Sequence, residues 1–224
     1  MREDHAPISV VCDFDGTITL LDTSEYILER FAEGDWRAPD RLLLQRSIDL
    51  EECMVRQFSL VHRSPEEMLD SLNGRVVIRK GFQELVEICS QNGIPFHVAS
   101  AGLDFVIRHY LDSVGTSEKV VVHAPSSDWS GGSLRLHFPP LKHPGARSFK
   151  DDVVLTLKGI GRSVVYIGDG ISDLDGARSA DVRFAVRGRP LLDHLIKDGI
   201  AATPFVEFEE IAESIGLSSV QIRK

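Results

Sequence analysis

Alternation between strand-like and helix-like stretches constrains this chain more than any other feature. A helical pattern near 81–91 ends at Asn92-Gly93 and an apolar strand follows at 95–99. A helix at about 103–113 leads to a strand at 119–122. After a stretch at 124–146 rich in Pro, Gly, Ser and His, which holds one hairpin-like strand at 134–138, a helix starts near Phe149. Strands at 164–167 and 183–186 then alternate with helices near 172–179 and 190–198. Strands separated by helices of this length predict an α/β fold, a doubly wound parallel sheet with helices on both faces. A first strand at 8–12 precedes the series, and residues 21–76 interrupt it with helical patterns and no convincing strand. There, Asp22, Thr23 or Ser24 can cap a helix at 22–33 with Tyr26, Ile27 and Phe31 on its apolar face. Patterns near 40–46 and 50–62 follow, and Ser64-Pro65-Glu66-Glu67 opens another helix as a capping box that Gly74 ends. The expected division is a core of residues 1–20 and 77–224 with an inserted all-helical cap at 21–76, over the sheet's carboxyl edge, where open α/β sheets bind ligands.

The first strand delivers Asp13-Phe14-Asp15-Gly16-Thr17 at its end. Carboxylates at spacing two, on a turn with glycine, suit one divalent cation and one phosphoryl group. One can attack phosphorus while the other shuttles a proton. Three further features follow in order. The strand at 95–99 delivers Ser100-Ala101-Gly102 before a helix, a hydroxyl and N–H groups that can cradle an anion. Lys150 sits at a helix start, where a fixed cation can neutralise phosphate charge. The strand at 164–167 delivers Gly168-Asp169-Gly170-Ile171-Ser172-Asp173, acids flanked by glycines that admit a ligand closely. These are the parts of phosphoryl transfer, and Mg²⁺, which prefers oxygen ligands, is the expected cofactor.

Each part alone has a plainer reading: a turn, a helix cap, a solvated lysine. Asp13-Phe14-Asp15-Gly16-Thr17 is not a calcium loop, because Thr17 stands at the third acidic position. Gly168-Asp169-Gly170 lacks the third glycine of a dinucleotide loop, and no Gly-Lys-Ser/Thr phosphate loop occurs. Cys12 reads as a buried strand residue; a thiol phosphatase wants an arginine where Ile18 stands. His123, His137 and His143 read as surface loop residues, and Trp36 and Trp129 as packing. The acidic run 207–210 reads as a helix start. Joint occurrence of the four features, each at a strand end or helix start, carries the enzymatic reading.

This order resembles that of the haloacid dehalogenase superfamily of phosphatases, over nearly the whole chain. The resemblance implies Asp13 as nucleophile, becoming an aspartyl phosphate, and Asp15 as general acid and then base. It implies Ser100 and Lys150 as phosphate ligands, completed by Thr17 and the Gly102 amide. It implies Asp13, the Asp15 carbonyl and Asp169 around Mg²⁺, with Asp173 as ligand or just behind it. A helical insertion directly after the first motif looks like the phosphoserine-phosphatase type of cap. Phosphoserine phosphatases carry Glu where this chain has Asp22, nine positions past Asp13, and a Phe and an arginine where it has Leu50 and Gln57. Without that arginine a bidentate contact to a substrate carboxylate is missing. The chain looks more like methionine-salvage phosphatases acting on the enol phosphate 2-hydroxy-3-keto-5-methylthiopentenyl-1-phosphate. It shares with them Asp22, Arg56-x-Phe58 and Ile78-Arg79-x-Gly81-Phe82, and lacks their cysteine-rich insertion at 124–149. Asp22 and Arg56 are the expected specificity residues. Their plainer readings are a helix cap, and an ion pair with Glu52 four residues earlier.

A different class stays open on the residues. Receiver-type signalling modules also combine acids, Mg²⁺, a Ser/Thr and a Lys on a parallel sheet, though at about half this length. Composition narrows the partners. Formal net charge −9 argues against nucleic acid and anionic membranes, leaving a small phosphorylated metabolite. Residues 1–7 lack the apolar segment of a signal peptide, and no run approaches the roughly 18 apolar residues of a span. Cys12, Cys53 and Cys89 are odd in number and scattered, which favours a reducing, cytoplasmic compartment.

Overall fold

The computed structural model describes residues 6–129 and 131–214. A parallel sheet runs β3-β2-β1-β6-β7-β8, from β1 (Ile8–Cys12), β2 (Phe96–Ala99), β3 (Val120–His123), β6 (Ser163–Gly168), β7 (Val182–Val186) and β8 (Thr203–Phe205). Between β3 and β6 in sequence, β4 (Ser126–Asp128) and β5 (Arg135–His137) form an antiparallel pair. Central strands of such a sheet are covered on both faces and so read as continuous apolar runs. In β1, Val10 and Cys12 enter one core and Val11 the other. The first core takes side chains from helices α5 (Phe82–Gln91), α6 (Asp104–Ser113) and α10 (Phe208–Ser214); the second takes them from α7 (Phe149–Gly159), α8 (Leu174–Ser179) and α9 (Pro190–Lys197).

Register fixes where the site lies. Cys12 is the register partner of Val98 on β2 and of Ile167 on β6. The residues that follow these three strands therefore leave the sheet at one edge. Among them are Asp13, Ser100 and Asp169.

Residues between β1 and α5 form α1 (Thr23–Phe31), α2 (Ala38–Leu44), α3 (Leu50–Phe58) and α4 (Pro65–Leu72). Asp22 caps α1 by accepting from Glu25 N at 2.8 Å. Ser64 and Glu67 close the expected capping box on α4. The chain leaves and re-enters the core through antiparallel contacts: Leu20 N donates to Val77 O at 2.9 Å and Arg79 N to Ile18 O at 2.7 Å. The β4–β5 hairpin is fastened to this helical stretch. Leu134 N donates to Val61 O and Trp129 Nε1 to Arg63 O, while Leu134 and Leu136 are buried. Trp129 also packs edge-on against Phe105, a packing role as expected.

Two strands escaped the sequence. Thr203-Pro204-Phe205 is short and carries a proline, which removes a strand donor; β8 tolerates it because it is the sheet's edge. Ser126–Asp128 is polar and finds its strand identity only in pairing with β5.

Sequence also gave no sign of a histidine pair on the α7 side of the sheet. His97 Nδ1 lies 3.0 Å from His123 Nε2, and His97 is 9% exposed. One proton between the two ring nitrogens makes this contact, and the accepting ring must be neutral. Burial, with His123 and Arg162 adding repulsion, pushes His97 down to about 4. The folded chain thus holds His97 neutral where the unfolded chain, near its ordinary 6.5, takes a proton. Stability is full above that value and is lost as pH falls toward 4. Urea unfolding of wild type and His97→Gln between pH 7 and 4.5 is expected to show wild type losing stability relative to the variant, by at most about 1.4 kcal/mol per pH unit. A pH-independent difference would refute the account.

Candidate active site

The chain turns sharply as it leaves β1. Asp13 N donates to Ile167 O at 2.9 Å, and Thr19 N reaches back to Phe14 O at 3.0 Å. Inside this wide turn Gly16 takes φ +75°. A β-carbon there would lie 2.5 Å from Asp169 Oδ2, so both backbone angle and space demand glycine.

Lys150 is the hub. Ser148 caps α7 by accepting from Asp151 N, which fixes Lys150 in the first turn. Its Nζ donates to Asp13 Oδ1 and to Asp173 Oδ1, both at 2.6 Å, and to Ser172 Oγ at 3.2 Å. The residue is 2% exposed. Burial alone would drive the ammonium's pKa down, yet the charges of Asp13 and Asp173 overcome this and hold it above its ordinary value. Asp173 accepts three more donors: Tyr166 OH at 2.8 Å on Oδ1, and the N–H groups of Asp169 and Gly170 on Oδ2. Its two oxygens thus take four hydrogen bonds. They hold Lys150 on one side and shape the Asp169 loop on the other.

Asp169 accepts from Thr17 Oγ1 at 3.2 Å on Oδ1 and from Arg189 Nε at 2.8 Å on Oδ2. Arg189 carried no sequence signal, since it lies twenty residues beyond Asp169 at the start of α9. Burial first, then repulsion from Asp173, raises the carboxyls of Asp13 and Asp169 above the usual carboxylate range.

Asp15 faces the other way. Its oxygens accept from Thr23 N at 2.8 Å, Thr23 Oγ1 at 2.6 Å and Ser24 Oγ at 3.0 Å. The first turn of α1 therefore aims this carboxyl. Burial raises its pKa, and these donors pull the other way. Gly102 lies against it: a β-carbon there would come within 2.6 Å of Asp15 Oδ2 and 2.7 Å of Ser24 Oγ. Ser100 Oγ accepts from Gly102 N at 3.0 Å, which folds this loop against Asp15. Asp22, besides capping α1, is pushed up to about 7 by burial and by Asp15.

A cavity of about 390 Å³ opens over these groups. Asp13, Asp15, Ser100, Gly102, Lys150 and Asp169 line it, and so does Asp22. Thr17 and Asp173 lie buried behind them. Arg56 does not line it. It pairs with Glu52 at 2.8 Å and is about half exposed, so the plainer reading describes it. On α3 the cavity is met instead by Leu50, Met54 and Gln57, one helical stripe at spacings of four and three. Arg56 stands about 100° of helix rotation from Gln57. Trp36, expected in packing, also reaches the cavity, with the Arg37 guanidinium 4.0 Å from its ring. The sequence-marked histidines stay outside. His123 pairs with His97, His137 with Asp128 across the hairpin, and His143 accepts from Gly145 N.

Carboxylate oxygens of Asp13, Asp169 and Asp173 lie within 4.8 Å of one another. An all-oxygen, acidic and buried donor set suits a hard divalent cation. Within it Asp173 is already saturated by protein donors, so Asp13 and Asp169 are the carboxylates that fit such an ion directly. Asp15 lies outside the cluster because α1 holds its side chain elsewhere.

Replacing Lys150 by Met leaves two buried carboxylates facing each other without a counter-charge. Loss of one partner from a buried ion pair typically destabilises by about 3–5 kcal/mol. The charged carboxylates suffer most, so Lys150→Met is expected to lose stability relative to wild type as pH rises from 5 to 8. Thermal melts across that range check it; a parallel pH dependence in the two proteins would count against the ion-pair account.

Residues 10–178 match the family described as haloacid dehalogenase-like hydrolase. A protein of Exiguobacterium sibiricum named 2-hydroxy-3-keto-5-methylthiopentenyl-1-phosphate phosphatase is 30% identical over 223 residues, covering 95% of this chain and 98% of its own. One of the same name from Bacillus velezensis is 27% identical over 218 residues, covering 92% and 88%. Among solved structures, a substrate-bound phosphoserine phosphatase superposes with a TM-score of 0.70 at 18% identity, covering 94% of this chain and 99% of that one. At that identity the superposition speaks for the fold alone. The family match spans all four sequence features up to Asp173, and the full-length relatives extend it to both flanks. A signalling receiver is thereby set aside, and the chain belongs to the haloacid dehalogenase-like hydrolases as a phosphoric monoester hydrolase.

Proposed function

We propose that this phosphatase cleaves a small-metabolite phosphate monoester through an aspartyl phosphate on Asp13, with Asp15 moving the proton. The observation that carries the reading is the pairing of roles around one cavity. Asp13 is fixed by Lys150 at 2.6 Å, while Asp15 is separately aimed by α1 and kept out of that ion pair. Two carboxyls in different environments can take different protonation states, which acid–base chemistry requires.

An Asp13 oxygen attacks phosphorus, and the bond from phosphorus to the leaving oxygen breaks. Asp15, its proton favoured by burial, gives that proton to the leaving oxygen. Asp15 then takes a proton from the water that attacks phosphorus, which frees inorganic phosphate and restores Asp13. Lys150 and Ser100 Oγ hold phosphoryl oxygens, joined by the Gly102 N–H once it releases Ser100 Oγ, and Thr17 holds Asp169 in place. Asp13 and Asp169 would hold Mg²⁺, with Asp173 behind them; the ion supplies charge neutralisation between an anionic nucleophile and an anionic phosphate. The segment 21–76 acts as a cap, excluding water and meeting the leaving group.

For the substrate we favour the enol phosphate named for the relatives. Identity near 30% spans almost the whole chain. Leu28, Trp36, Leu50 and Met54 give the cavity an apolar wall suited to an uncharged alkyl or thioether tail. Phosphoserine fits less well. Of the cavity's arginines, Arg37 pairs with Glu29 and Arg189 with Asp169, and Gln57 is uncharged. Among the described residues, both guanidiniums lining the cavity already face a carboxylate.

Asp13→Asn keeps the shape and removes the nucleophile, so kcat is expected to fall by about three powers of ten or more. Chelation by EDTA is expected to abolish turnover, and added Mg²⁺ to restore it. The enol phosphate is expected to exceed phosphoserine in kcat/KM by at least about tenfold, the scale of one lost charged contact. An active Asp13→Asn enzyme would remove the mechanism; equal use of both substrates would remove the substrate assignment alone.

A further inference from the structure

We propose that Arg79 is a positioning residue: its guanidinium, from behind the turn, sets the attack geometry of Asp13. This rests on the reading of Asp13 as nucleophile. Arg79 is 8% exposed, and its three guanidinium hydrogen bonds go to main-chain carbonyls far away in sequence. Nε donates to Thr17 O and Nη2 to Gly16 O, both at 2.7 Å, and Nη1 donates to Val206 O at 3.0 Å. The ring of Phe205 lies 5.9 Å from the guanidinium carbon.

The target of the fork gives it meaning. Asp15 and Gly16 depart from helical geometry, with ψ 124° and φ +75°. Irregular buried carbonyls need donors that the turn itself cannot supply. A planar guanidinium holds its donors in a rigid fork that matches two adjacent carbonyls, whereas the donors of an ammonium rotate freely on a flexible stem. Because a trans peptide sets its N–H opposite its C=O, fixing the carbonyls of Gly16 and Thr17 also fixes the directions of the N–H groups of Thr17 and Ile18. Thr17 in turn donates to Asp169. One cation thus steadies the turn that carries Asp13 and Asp15, and through Thr17 it also steadies Asp169.

Position along the chain adds a second argument. Arg79 N donates to Ile18 O, and Leu20 N to Val77 O, where the chain leaves for the helical stretch 21–76 and returns. Any movement of that stretch pulls on these two strands. Arg79 stands at their foot and ties them to Val206, just past the end of β8. It therefore anchors the turn against the motion of the segment above it. A buried cation without a carboxylate partner is an expensive way to hold a fold; Glu207 and Asp169 counter its charge only from beyond hydrogen-bonding reach.

The test uses the full chain with Mg²⁺ and p-nitrophenyl phosphate. Arg79→Lys keeps charge and loses the fork; Arg79→Ala loses both. Misplacement by about 1 Å costs on the order of 100-fold, so Arg79→Ala is expected to lose about that factor in kcat with KM within about threefold. Guanidinium chloride at millimolar concentration is expected to restore at least about tenfold of the loss, and sodium chloride at equal ionic strength none. Arg79→Lys is expected to keep the wild-type circular dichroism and lose about tenfold or more in kcat; it decides the matter alone if Arg79→Ala does not fold. A folded Arg79→Lys enzyme with wild-type kcat would overturn the proposal. So would a loss confined to KM, or a kcat loss that guanidinium repairs no better than sodium. Asp13→Asn is measured alongside. If it turns over, the nucleophile reading has failed; if it is dead while Arg79→Lys is normal, only the role of Arg79 has failed.

Discussion

Everything at this site depends on holding several carboxylates close together and out of water. Asp13, Asp169 and Asp173 bring their oxygens within 4.8 Å of one another at the buried end of a parallel sheet. Left alone, such a group would take up protons, because burial and mutual repulsion both penalise the ionised forms. Lys150 opposes this at Asp13, and Arg189 opposes it at Asp169; Lys150 also pairs with Asp173. The two cations differ in kind. Lys150 is sealed at 2% exposure, while the Arg189 side chain is 45% exposed at the cavity wall. The first is sealed between two carboxylates, whereas the second stands open to the cavity.

Much of this was legible in the sequence for one reason. A parallel sheet sends every strand's carboxyl end to the same edge, so acids that follow separate strands must meet there. Asp13, Ser100 and Asp169 were readable as neighbours before any coordinate, and Lys150 followed from its helix start. The individual roles were less legible. Asp173 fits the acidic pattern equally well as a ligand or as a brace, and only its four hydrogen-bond donors favour the brace. Arg189 and the His97–His123 pair left no trace because their partners lie twenty or more residues away. Arg79 was visible as a residue in a shared run, but nothing in that run tells that its side chain reaches Gly16, Thr17 and Val206.

The specificity residues show a sharper limit. Arg56 and Gln57 are adjacent, and periodicity alone cannot choose which of two flanking polar residues turns inward when α3 has apolar neighbours on both sides. The structure resolves it by rotation: Leu50, Met54 and Gln57 form the stripe that meets the cavity, and Arg56 turns to Glu52. A charged side chain was the more tempting choice for recognition. An exposed pair at spacing four contributes only about 0.3–0.5 kcal/mol, so it is a weak constraint that leaves the arginine on the surface.

The helical stretch is joined to the chemistry at a specific point. Asp15 belongs to the turn after β1, yet among the described residues its side-chain donors, Thr23 N, Thr23 Oγ1 and Ser24 Oγ, belong to the first turn of α1. Movement of α1 therefore cannot leave the aim of Asp15 unchanged. Asp13, by contrast, is held by α7 through Lys150. In the proposed mechanism the nucleophile is thus referenced to the sheet and its rear helices, and the proton donor to the segment that contacts the leaving group. That division is physically apt. The phosphoryl group is the same for every monoester, whereas the oxygen that needs the proton belongs to the variable part of the substrate. An acid aimed by the first turn of α1 is thus oriented by the same segment that would meet that variable part.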